Sequence, residues 1–100
     1  MRRLNTLLPG RLTKTIIDVV LVKYHESGVN ALVIFDSWGV PMLTPTLDIN
    51  CYPDEVVISN VGDNSGMLEF LINKNFIYEP HRTMKYRNDT VYVCKLKGAF

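Results

Sequence analysis

The chain is poor in the residues that most small functional sites are built from. It has two cysteines and two histidines, with no C-x-x-C or H-x-x-x-H spacing. Two thiols, Cys51 and Cys94, are too few for a disulfide framework. Cys94 falls in an apolar strand pattern and reads as a small buried hydrophobe. Two Cys and two His without ligand spacing do not make a zinc pattern, so neither a metal nor another cofactor is expected. Long apolar runs are also missing: Val19–Val22 and Ala31–Phe35 are the longest, far below the ~20 residues of a membrane span. The basic start Met1-Arg2-Arg3 is interrupted at Asn5, Pro9 and Arg11, where an export signal needs an unbroken apolar stretch. The expectation is a cytoplasmic protein with reduced thiols and no membrane partner.

Positive charge is absent from half of the chain. Between Tyr24 and Asn73 there is no Lys or Arg, whereas Glu26, Asp36, Asp48, Asp54, Glu55, Asp63 and Glu69 all lie there. The basic residues gather at the two ends, so a net charge of +1 hides an uneven distribution. If the terminal segments pair, the molecule is bipolar and suited to steering a charged partner or to self-association as a homodimer. If cross-strand pairing mixes the signs, no such field remains.

What is present is ordinary globular composition. One hundred residues, 47% hydrophobic and 21% charged, make a single domain spanning 1–100, with residues 1–13 readable as a loose basic arm. A chain of this length holds one core and hardly a deep cleft as well. A binding surface is therefore the expected seat of function.

The segment KTIIDVVLVKY is β-branched without a helical period and fits a strand covered on both faces. Val29 to Phe35 is the next strand. Asp36-Ser37-Trp38-Gly39 reads as a type I turn closed by a left-handed glycine. Val40 to Ile49 alternates, but Pro41 and Pro45 confine it to an edge or a bulge. Glu55 to Ser59 is a short strand. A helix of about ten residues follows GDNSG, with Asn64 or Ser65 as its cap. Its ending should place Asn75 in a left-handed conformation, with Phe76 folded back on Leu71. Extended segments and a turn at Asn88-Asp89 lead to a closing strand, Thr90 to Leu96. The order implies an α+β domain: a mainly antiparallel sheet of about five to six strands, a meander and then a C-terminal hairpin, with one helix packed on one face.

Catalytic motifs fail on spacing. GDNSG sits where a phosphate loop or a nucleophile elbow would. Its glycines are one residue too close for a Walker loop, and Met67 stands in the lysine position. Its serine comes one place late for G-x-S-x-G. It reads as turn and cap. Asp54-Glu55, the paired carboxylates, are adjacent at a strand start and point to opposite faces, so they cannot act together as acid and base. No enzyme is expected.

One stretch has binding character: YEPHRTMKYR, from Tyr78 to Arg87. Arg82, Lys85 and Arg87 are interleaved there with His81, Tyr78 and Tyr86, as on surfaces that meet acidic proteins or single-stranded nucleic acid. A solvated edge whose charges discourage edge-to-edge pairing gives the same pattern. Trp38, at a hairpin tip, is either an interface anchor or folded back over the sheet.

The run from Gly28 to Leu96 resembles a family of small proteins from phages, plasmids and conjugative elements of gut-type bacteria, a domain of unknown function. The resemblance rests on VNALVIFDSWGVPMLTPTLDI, DEVVISNVGDNSGMLEFLINKNFI, the dipeptide RT and a closing VYVCKL. Asn75 stands where that family has glycine, and the basic N-terminus is longer here. The resemblance brings no catalytic residues. It implies a mobile-element setting, in which small proteins bind and modulate host or competing machinery. The expected function is a non-enzymatic accessory protein, an inhibitor or modulator of host defence that covers a site on a larger host or competitor protein. Trp38, Tyr78, Arg82, Lys85, Tyr86 and Arg87 would contact that partner. Nucleic-acid binding by the same hairpin is the alternative.

Overall fold

The structure, a computed structural model, describes residues 1–98 and 100. Strands β1 (Arg2–Thr6), β2 (Thr15–Lys23), β3 (Asn30–Asp36) and β4 (Pro41–Leu43) form one sheet in the order β1-β2-β3-β4. Strands β5 (Glu55–Ile58), β6 (Arg82–Tyr86) and β7 (Asp89–Lys95) form a second, in the order β5-β7-β6. Every pairing is antiparallel. A 3₁₀ turn (Gly62–Asn64) and a helix, α1 (Met67–Asn73), connect β5 to β6. The molecule is an α+β fold with mostly antiparallel strands, and among the described residues no helix is long and apolar enough to cross a membrane.

The expected single sheet is instead two sheets of four and three strands. The cause is in the proline-containing segment. Val40 to Ile49 does not run as one strand: β4 ends at Leu43, and its pairing with β3 shifts register at Ile34/Phe35. Pro45 has no N–H to give to a ladder. Beyond it the chain crosses to the other sheet, where Thr46 bridges Ile58, Leu47 N–H donates to Val57 O, and Ser59 N–H donates to Pro45 O.

The main core lies between the sheets. Ile17 and Val19 of β2 and Leu32 and Ile34 of β3 meet Val56 and Ile58 of β5 and Cys94 of β7, with Met67, Leu68, Phe70 and Leu71 of α1. A smaller cluster, Val57, Val91 and Val93, lies on the far face of the second sheet under Leu47, Ile49 and Cys51. Among the described residues the first sheet has no such cover. Ile16 and Val22 of β2 are 45% and 40% exposed, so β2 is not sealed on both faces as its apolar run implied.

The N-terminal segment is not a loose arm. Leu4 sits opposite Ile17, and Leu8 is buried in the core. Arg3 donates Nε and a terminal guanidinium nitrogen to the two Asp18 oxygens at 2.9 and 3.0 Å. Arg2 lies over the Phe76 ring at 4.0 Å and donates to the carbonyls of Lys74 and Asn75. Its positive charge thus sits on the free carbonyls at the end of α1, where the helix dipole favours a cation.

The helix is seven residues long, shorter than its apolar pattern implied, because GDNSG is occupied by the 3₁₀ turn. Neither Asn64 nor Ser65 caps it. Gly66 is the N-cap at φ 84°, and the Asn60 Oδ1 accepts the Leu68 N–H at 3.0 Å. A side chain at 66 would also meet the Pro9 Cβ at 2.9 Å. The other end follows expectation. Asn75 takes φ 64°, Phe76 N–H bonds to Leu71 O and Asn75 N–H to Ile72 O, the Schellman pattern.

Candidate functional site

The β6–β7 hairpin carries most of the residues singled out for binding. Its turn is Arg87-Asn88, one residue earlier than expected, because Tyr86 pairs with Asp89. Both turn residues have positive φ, 51° and 68°, as the right-handed twist of a two-residue hairpin requires. Arg82, Met84 and Tyr86 share one face of β6, and Thr83 and Lys85 the other. Arg87 stacks its guanidinium on the Tyr86 ring at 5.2 Å. The Lys85 Nζ donates to Thr90 Oγ1 at 3.1 Å. Tyr78 lies beyond the strand start, half exposed, with the Lys97 Nζ 5.0 Å from its ring centre.

Trp38 belongs elsewhere. It is 89% exposed at the tip joining β3 to β4 in the first sheet. Asp36 builds that tip by accepting the Trp38 and Val40 N–H groups on Oδ1, both at 2.9 Å. Gly39 takes φ 78° and donates to Asp36 O. The tryptophan is held out from the sheet rather than folded over it.

A buried acidic centre lies beside β6 that no motif announced. Glu55 is 2% exposed, while its neighbour Asp54 is exposed, so the pair does face apart. The Glu55 carboxylate accepts the Tyr52 N–H at 2.8 Å, contacts His81 Nε2, and has an Arg82 guanidinium nitrogen at 3.5 Å. Burial alone would push this carboxyl up. The Tyr52 amide, His81 and the Arg82 charge outweigh burial and hold it below the usual carboxylate range. A bulge makes the arrangement possible. His81 N–H donates to Val93 O, and Val93 is also the partner of Arg82. Two successive residues thus oppose one and both aim at Glu55.

The surroundings are polar and braced. Asn30 donates to the carbonyls of Pro53 and Glu55 at 2.7 and 3.0 Å and accepts from the Lys23 Nζ at 3.0 Å. A cavity of about 220 Å³ lies between Lys23, Asn30 and the Asn50–Pro53 turn. An open depression of about 670 Å³ separates that turn from Arg82. Cys51 faces it, with its Sγ donating to Glu55 O at 3.6 Å. Burial and the nearby Glu55 charge push the Cys51 thiol up, and burial pushes Cys94 up to about 12. Both cysteines are therefore thiols at neutral pH, not nucleophilic thiolates. Among the described residues no three His, Cys, Asp or Glu side chains converge to hold a metal.

No family model, curated protein or solved structure matches the chain.

Proposed function

We propose that the protein is a small non-enzymatic binding module, an accessory factor of a mobile element that modulates host defence by covering a site on a larger protein in the bacterial cytoplasm. The observation that carries this reading is the state of the cations. In β1 they are engaged inside the fold: Arg3 on Asp18, Arg2 on the end of α1. On the hairpin, among the described residues, Lys85 meets only a neutral hydroxyl and Arg87 only a ring, leaving both charges available to a partner.

The Arg87 backbone supports the same reading. A left-handed conformation costs a side-chain-bearing residue about 1–2 kcal/mol, and Asn or Gly fits such turns better. An arginine kept at φ 51° is local strain of the kind that accompanies function. Trp38 provides a second exposed anchor on the other sheet.

The nucleic-acid reading is weaker because the rings that would stack on bases already carry cations, Arg87 over Tyr86 and Lys97 over Tyr78. A salt titration against single- and double-stranded DNA decides it: electrostatic binding to phosphates weakens steeply with salt. The direct test of protein binding is partner capture from host lysate by the wild type and by Lys85→Glu/Arg87→Glu. The proposal expects a partner that the wild type retains and the variant loses. If both retain the same proteins, the hairpin is not the surface.

A further inference from the structure

The two sheets have four outer edges, and they differ in how far each is covered or occupied. β4 is three residues long and begins at Pro41. The outer edge of β5 is covered by the crossing segment, through the Leu47 and Ser59 amides and the Thr46 bridge. β1 offers cations that are already engaged, and Thr6 at its end is buried. β6 remains open. Arg82, Thr83, Lys85 and Tyr86 are exposed, and only Met84 is half-buried.

The register of β6 fixes which backbone groups are free. Hydrogen-bonded and non-hydrogen-bonded pairs alternate along an antiparallel ladder. The pair closing the two-residue turn, Tyr86 with Asp89, is of the bonded kind, and so are Met84 with Val91 and Arg82 with Val93. The N–H and C=O groups of Thr83 and Lys85 therefore point away from β7 into solvent. A strand laid along this edge would have Lys85, and Arg87 just beyond it in the turn, as its free cationic neighbours, Arg82 being held by Glu55. Opposite charges across such pairs stabilise and like charges destabilise. A second copy of this hairpin would bring its own Lys85 and Arg87 against the first pair, so it is the wrong occupant.

We infer that β6 takes up an extended acidic segment of the partner as an added strand, bonded through Thr83 and Lys85. This rests on the hairpin being the binding surface and specifies how it binds. The test uses the folded protein and a fluorescent synthetic peptide of about ten residues alternating Glu and Val, with affinity read by anisotropy. A control peptide has the same sequence but N-methyl groups on the amides that face β6. A second control alternates Lys and Val. The expected result is binding of the first peptide alone, weakened roughly tenfold or more by Lys85→Glu/Arg87→Glu and also by Thr83→Pro. Position 83 gives no bond to β7, so proline there removes only the outward donor. The N-methylated peptide places the same lesion outside the protein, so a fold defect in the proline variant cannot mimic the effect. If the N-methylated peptide binds as well as its parent while Lys85→Glu/Arg87→Glu binds neither, the surface stands and strand addition is overturned. If no peptide binds, or the charge reversal changes nothing, both readings fall. If the free protein is a dimer that Thr83→Pro makes monomeric, the occupant is a second copy and the inference is wrong.

Discussion

His81 and Glu55, 26 residues apart in sequence, meet at the base of β6, and the bulge at His81–Arg82 brings them together. The contact ties the start of the exposed strand to a carboxylate buried under the Asn50–Pro53 turn. It also makes stability depend on acid. The Glu55 carboxyl is held below its ordinary value of 4.5, so the folded state favours its charged form. Its contribution is fully present above pH 4.5 and is lost as pH falls through the lower, folded-state value. Asp18, held below 3.8 mainly by its hydrogen bonds to Arg3, acts in the same direction. Urea midpoints should therefore fall below about pH 5 relative to neutral pH. Glu55→Gln should lower the midpoint at pH 7, by roughly 1–3 kcal/mol in stability, and make the acid slope shallower. An unchanged slope would show that Glu55 is not held as described.

Two glycines separate backbone strain from crowding. Gly39 and Gly66 both have positive φ, 78° and 84°. A methyl group at 39 meets open space, whereas one at 66 meets Pro9 at 2.9 Å. Gly39→Ala should cost the left-handed penalty alone, about 1–2 kcal/mol. Gly66→Ala should cost a further ~1–3 kcal/mol, the range for overpacking, and thermal melts of the two variants compare them directly.

The N-terminal segment should be indispensable. Leu8→Ala removes a side chain buried with Ile17, Met67 and Phe76 and should destabilise by about 2–5 kcal/mol. Removing residues 1–8 deletes β1 and exposes the edge of β2. That truncation should leave the chain without cooperative unfolding by circular dichroism. A truncated protein that melts like the full chain would restore the loose-arm description.

Arg87→Asn separates stability from binding by sign. Asparagine tolerates the left-handed conformation, so the variant should be as stable as wild type or more stable by up to ~1 kcal/mol. The same change removes a cation from the hairpin and should weaken partner binding. Loss of stability together with binding would mean that Arg87 holds the turn rather than the partner.

Much of the fold was legible because its signals are local. The Schellman ending needs only Asn75 and Phe76 near the end of an apolar helix, and the β3–β4 turn needs only Asp36 and Gly39. Reading failed where the deciding partner is remote. The helix cap comes from Asn60, outside the GDNSG stretch, because the 3₁₀ turn takes up Asn64. The split into two sheets turns on where Pro45 sends the chain. Arg2 and Arg3 looked unattached because Asp18 and the end of α1 are supplied by other elements. The Glu55 centre had no signature, since a carboxylate, a histidine 26 residues later and a bulge between them form no motif. The six candidate contacts have in common their residue type, aromatic or cationic, and not their position in the fold. The structure gathers five along the β6–β7 hairpin and its approach, and leaves Trp38 on the other sheet.

Amide hydrogen exchange at β6 bears most directly on the proposal that this edge accepts a partner strand. In the free protein the Thr83 and Lys85 amides should exchange fast, while Met84 and Tyr86, bonded to β7, are protected. With the acidic peptide bound, Thr83 and Lys85 should become protected as well. If these two amides still exchange at their free rates when the peptide is bound, the edge is not where the partner docks.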